Sequence, residues 1–147
     1  MNIFKNSPLP IWVNILLIVL IFFMAIQGYL FYFDQQFLID AGITSDGSPN
    51  LNIIYTTAGR LLAMTAAFIL VLYTQNPHQY FLVLFLSILK DGQQAFIDPL
   101  FPYLNAASAA VDFGMHFVIV VLEIWALIVV YKIIGRDSFL TRKSVTN

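Results

Sequence analysis

This sequence predicts an all-α, integral membrane four-helix bundle with both termini cytoplasmic, and three observations carry that prediction. First, 60% of the 147 residues are hydrophobic and only 10% are charged, with a mean hydropathy of +0.83. A soluble domain carries about 25% charged residues, so these charges are too few to coat a globule and lipid must be part of its solvent. Second, four segments approach the ~20 apolar residues that a spanning helix needs. Third, the long loops carry no Lys or Arg, and the basic residues outside the spans fall on one side of the resulting topology.

The first segment, Pro10 to Phe33, is opened by Pro8 and Pro10, which suit a helix start. Lys5 ahead of it gives the look of a signal peptide. The apolar run is far longer than the ~7–15 residues of a signal h-region, and "MAIQGYLF" offers no small-x-small cleavage site, so it reads as a retained helix. The second segment, Leu51 to Tyr73, is apolar apart from Arg60. The third, Tyr80 to Ile97, is interrupted by "KDGQQ" at Lys90 to Gln94, and its pure apolar run would cover only ~15 Å as helix. The fourth runs from Ala107 to Ile134. Between them, "DQQFLIDAGITSDGSPN" reads as a loop, "TQNPH" as a tight turn and "DPLFPYLN" as a Pro-broken loop. Residues 1–135 are thus expected to form one four-span domain, and 136–147 a polar, frayed cytoplasmic tail.

Charge decides whether the weak third segment spans. Lys5 precedes the first helix, and Lys132, Arg136, Arg142 and Lys143 lie at or beyond the end of the fourth. Neither long loop contains Lys or Arg. Four spans leave the basic ends inside and the bare loops outside, as the positive-inside rule requires, whereas three spans would export the basic tail. The expected location is the cell membrane, as a multi-pass protein.

Several function classes fall away. A net charge of −1 supplies no basic field for nucleic acid. With no cysteine, disulfides, thiolate metal sites and cysteine chemistry are excluded. No cofactor or metal is expected. The expected partners are the lipid bilayer and either a second copy of the chain or a subunit of a membrane complex.

The informative residues are the polar ones at membrane depth. Measured from the outer side at ~1.5 Å per residue, Arg60 lies ~13 Å down, Lys90 and Asp91 ~10 Å, Asp112 ~8 Å and His116 ~14 Å, while Glu123 reaches the midplane. Asp112, His116 and Glu123 fall within ~40° of one helix face. Ser87, Asp91, Gln94 and Asp98 form another stripe, Thr56 and Arg60 a third, and Gln27 and Asp34 a fourth. Gly59, Ala63 and Ala67 make a small-residue track that permits close helix approach. Turning the four stripes inward gathers Arg60, Lys90, Asp91, Gln94, Asp112, His116 and Glu123 as candidate ligand- or ion-binding residues. Arg60 is the expected counter-ion of Asp91 or Asp112. Lys90 can snorkel outward, and Glu123, remote from Arg60, is expected to be the neutral acid.

Three readings compete. In the first, the cluster lines an outward-facing cavity that binds an ion, proton or small molecule, or the chain serves as an accessory subunit, since intramembrane ionisable residues mark functional sites. Asp112, His116 and Glu123 could instead form the acid–base set of a membrane enzyme. Or the charges could be a paired scaffold without a ligand. No nucleophile motif identifies a catalytic residue: Ser87 lacks a G-x-S-x-G setting. A metal site from Asp91, Asp112 and His116 matches no ligand spacing. His78, the second histidine, is assigned to the opposite membrane face, which disfavours a haem pair. Asp40, Asp46 and Gly47 suggest calcium, but the spacing is not that of an EF-hand. Trp12 and the tyrosines near helix ends read as interfacial anchors.

"GRLLAM" with Arg60 and "VVLEIWAL" with Glu123 resemble the small four-helix bacterial membrane proteins of the DoxX-like type. The resemblance covers helices two to four. It implies the bundle architecture and no particular activity.

Overall fold

The computed structural model describes residues 7–34, 36, 51–97, 100 and 106–144; the side chains of residues 51, 53, 106–110, 112 and 136–144 are outside the description. Four helices appear among the described residues: α1 (Ile11–Phe33), α2 (Leu51–Thr74), α3 (Pro77–Ile97) and α4 (Ala106–Ser144). Each contains a stretch long and apolar enough to cross a membrane: Ile11–Phe33, Ile54–Thr74, Pro77–Ile97 and Phe113–Gly135. The weak third segment is therefore one continuous helix through "KDGQQ", not a half-length hairpin. The proposed calcium residues Asp40, Asp46 and Gly47 lie outside the described residues.

The helices pack as two hairpins, α1 with α2 and α3 with α4, which touch one another more lightly. One end of the bundle holds the short α2–α3 connection and is called the turn end. The other holds Phe33, Leu51, Ile97 and Ala106 and is called the loop end. Side chains at the bundle surface are overwhelmingly apolar: Phe22, Ile69, Leu82, Phe117 and Trp125 are all more than 50% exposed. An apolar mantle of this kind belongs against lipid.

Hydrophobicity alone cannot choose the inner face of α1, because the helix is apolar all round. Small and polar residues choose it. Its buried positions are Val13, Asn14, Leu17, Leu20, Met24 and Gly28. A Cβ placed on Gly28 would stand 2.9 Å from Leu62 Cδ2 and 3.7 Å from the Ala58 carbonyl oxygen, so α1 and α2 approach closely there. The anticipated track of Gly59, Ala63 and Ala67 is not the contact line. Ala63 is exposed, whereas Ala58 is fully buried. Because Leu62 is 40% exposed, it can swing aside, and Gly28→Ala should change detergent stability little. Gly28→Ile overfills the same contact and should cost roughly 1–3 kcal/mol in thermal unfolding.

The turn end is tied by polar groups. The Gln75 N–H donates to the Val71 carbonyl (3.0 Å), and Gln75 adopts a positive φ of 52°, which closes α2. Asn76 then caps α3 through its Oδ1, which accepts from the His78 N–H (3.0 Å), with Pro77 in the first helical turn. That cap explains why α3 starts at Pro77, three residues before the apolar run at Tyr80. Buried Asn14 Oδ1 accepts from the Tyr80 hydroxyl and from Gln75 Nε2 (3.1 Å), and Gln75 Oε1 accepts from Ser7. This knot joins α1 to the α2–α3 turn. Tyr80→Phe deletes the donor to a buried amide oxygen, and a loss of about 1–2 kcal/mol in thermal unfolding is expected.

At the other extreme, α4 runs past Gly135. Its backbone is helical to Ser144, nine residues beyond Gly135. No proline interrupts Arg136 to Ser144, so nothing stops the ladder of hydrogen bonds. At 1.5 Å per residue the helix is about 58 Å long, well beyond the ~30 Å hydrocarbon layer.

Candidate functional site

The site is built in the loop-end half, where the two hairpins separate. A cavity of about 360 Å³ lies between them and draws its walls from all four helices. Gln27 and Phe31 come from α1; Thr57, Arg60, Leu61 and Met64 from α2; Leu86, Lys90 and Gln94 from α3; and His116 from α4. Its size falls in the ~300–1,000 Å³ range of small-molecule pockets.

The back of the site is the buried carboxylate of Asp91, 3% exposed. Lys90 Nζ stands 2.9 Å from Asp91 Oδ1. His116 Nδ1 stands 3.6 Å from the same oxygen, an ion-pair distance when the ring is protonated. Ser87 Oγ donates to Asp91 Oδ2 at 3.3 Å, one helical turn away. Helix geometry produces this set. Ser87 and Asp91 are i, i+4 on α3, so they share a face, and that face meets His116 on α4.

Sequence reasoning placed most of these residues in one region and offered Asp91 or Asp112 as the partner of Arg60; of these two, Asp91 is held otherwise. Arg60 does not pair with Asp91; Lys90 holds it. The adjacent Lys90 reaches back along its own helix with a flexible stem, its side chain 31% exposed, rather than snorkelling away. Arg60 makes no ion pair or hydrogen bond among the described residues, and its side chain lines the cavity instead. The alternative partner, Asp112, has its side chain outside the described ones. Thr56 is also displaced from the site: it is exposed and donates to Asn52 Oδ1 (3.3 Å), and Thr57 takes the cavity position. Gln27 lines the cavity as its stripe suggests, whereas Asp34 does not.

Glu123 is sealed in the protein, 0% exposed, one stratum deeper than His116 on α4. Among the described residues neither carboxyl oxygen has a partner at hydrogen-bond geometry, although Ser87, Asp91 and Lys90 are near enough to act on it electrostatically. Of the three-residue acid–base set, the side chain of Asp112 is outside the described ones, and the other two differ in setting. His116 is on the cavity wall and Glu123 is behind it. Among the described residues, no three His, Cys, Asp or Glu side chains gather as a metal-binding group.

The Asn14–Gln75–Tyr80 knot is the polar group that sequence reasoning missed. A buried Asn in an apolar helix and a Tyr beside a turn are its only signals, and the tyrosine is equally suited to an interfacial anchor. No protein family, curated protein or solved structure matches the chain.

Proposed function

We propose that this is a multi-pass protein of the cell membrane that binds a small polar or charged molecule in the cavity between its two hairpins. The observation that carries this reading is the cavity itself. A scaffold whose only task was to pair buried charges would close on them, with every ionic group satisfied. Here the pairing of Asp91 is complete, yet Arg60, Lys90, Gln94 and His116 still line an open volume to which all four helices contribute. Polar groups converging on a largely apolar pocket are the ordinary form of a small-molecule site. The positive-inside rule favours both termini in the cytoplasm, which places the loop end and the cavity mouth on the outer side. The DoxX-like resemblance belongs to the same reading and is consistent with the four-helix architecture.

The acid–base alternative keeps one support, the Asp91–His116 contact, since a carboxylate can orient an imidazole for proton transfer. The pair would then be Asp91 and His116, without Glu123.

One labelling experiment tests orientation and water access together, because the chain has no cysteine and hence no background. Thr57→Cys and Gln94→Cys should react with an impermeant thiol reagent added to intact cells. His78→Cys, exposed in the turn, should react only after the membrane is opened. Leu84→Cys, fully buried, should not react in either case. Unreactive cavity positions would refute the wet cavity, and external labelling of His78→Cys would refute the orientation.

A further inference from the structure

We infer that the cavity takes an amphiphilic organic anion, with one acidic head group held by Arg60 and an apolar body lying along Phe31, Leu61, Met64 and Leu86. This inference rests on the ligand-binding reading above and specifies its chemistry.

Charge selects the head group. Two permanent cations, Arg60 and Lys90, line the cavity. Asp91 neutralises only Lys90, at 2.9 Å. Arg60 is left without an ionic or hydrogen-bonding partner among the described residues. A guanidinium at membrane depth with no carboxylate among the described side chains is a candidate for a ligand or counter-ion site. Its planar fork matches a carboxylate or phosphate through two parallel hydrogen bonds. A cationic ligand would meet Arg60 and Lys90 directly and is disfavoured by like charge.

The remaining wall selects the body. Phe31, Leu61, Met64 and Leu86 are apolar, while Gln27, Gln94 and Thr57 can bond neutral oxygens. A small inorganic anion would use Arg60 and leave the apolar wall facing water. An amphiphile satisfies both. It has two sources: a fatty acid or similar single-chain acid entering from the bilayer between the hairpins, or a water-soluble aromatic acid entering from outside.

The test uses the full chain in nanodiscs of neutral phosphatidylcholine, read by thermal unfolding. Octanoate and hexadecanoate represent the bilayer source, and benzoate the aqueous one. Octanol and octyltrimethylammonium are the neutral and cationic controls. At saturating concentration at least one carboxylate should raise Tm by several degrees, and the arm that does so identifies the source. Arg60→Gln should weaken the apparent Kd about ten- to hundredfold, as expected for losing a charge-assisted bond, and Arg60→Lys should fall between. Leu86→Trp, which fills the cavity but keeps Arg60, should abolish the shift.

An equal shift from octanol or octyltrimethylammonium would overturn the anion preference while leaving a binding cavity. An unchanged Kd in Arg60→Gln, or a full shift in Leu86→Trp, would overturn the site. If no probe shifts Tm while Thr57→Cys and Gln94→Cys still label, the inference falls alone; if labelling also fails, the ligand-binding reading falls with it.

Discussion

Lys90→Met should destabilise the protein by roughly 3–5 kcal/mol, the scale for removing one partner of a buried ion pair. The substitution keeps the side-chain stem and removes only the ammonium. Asp91, 3% exposed, then retains Ser87 and a histidine at 3.6 Å as its supports. Most of the cost is the orphaned carboxylate, not the lost attraction, so Lys90→Met combined with Asp91→Leu should regain a substantial part of it. Arg60→Met should cost much less, because Arg60 supports no described carboxylate and its side chain reaches the cavity. Chemical or thermal unfolding in a mild detergent ranks the four proteins. If Arg60→Met is the more damaging single change, or if the double variant is no more stable than Lys90→Met, the pairing described here is wrong.

Glu123 gives the second large effect, with the opposite sign. Its two carboxyl oxygens are buried without hydrogen-bond partners among the described residues, and a buried polar group left unsatisfied costs about 1–3 kcal/mol. Leu has a similar volume and no polar atom. Glu123→Leu should therefore stabilise the bundle by about that amount, while Glu123→Gln, nearly isosteric but still polar, should stay close to the parent. Unfolding measurements on the two variants decide the point. A loss of stability in Glu123→Leu would mean that the carboxyl makes a contribution the geometry does not reveal. A residue retained at such a cost is a candidate for function, so both variants belong in any ligand-binding assay.

Much of this architecture is written plainly in the sequence, and the reason is physical. Spanning helices are set by the thickness of hydrocarbon, so runs such as Leu51 to Tyr73 and Ala107 to Ile134 declare themselves by length. The observed helices begin or end within a few residues of the expected limits, apart from α4, which continues to Ser144. Depth is equally legible: Lys90, Gln94, Arg60 and His116 do share one half of the bundle. Rotation about each helix is less so. On α2, the choice between Thr56 and Thr57, or Ala58 and Gly59, amounts to one residue, and an apolar helix has no polar face to fix it. Pairing is the least legible. Arg60 and Lys90 have similar depth, and only the reach of each side chain in three dimensions decides which one meets Asp91.

The distribution of contacts also has a mechanical meaning. At the turn end, Asn14, Gln75 and Tyr80 lash the first hairpin to the second, and Trp12 rests against Trp125 with ring centroids 5.2 Å apart. Toward the loop end the hairpins are separated by the 360 Å³ cavity. Polar ties between the hairpins thus gather at the turn end and open volume at the loop end. Two hairpins tied at one end have the form of a clothes-peg: were they to rotate about Asn14 and Tyr80, a small angle would become, over the length of a helix, a larger change in the gap between Arg60 and His116.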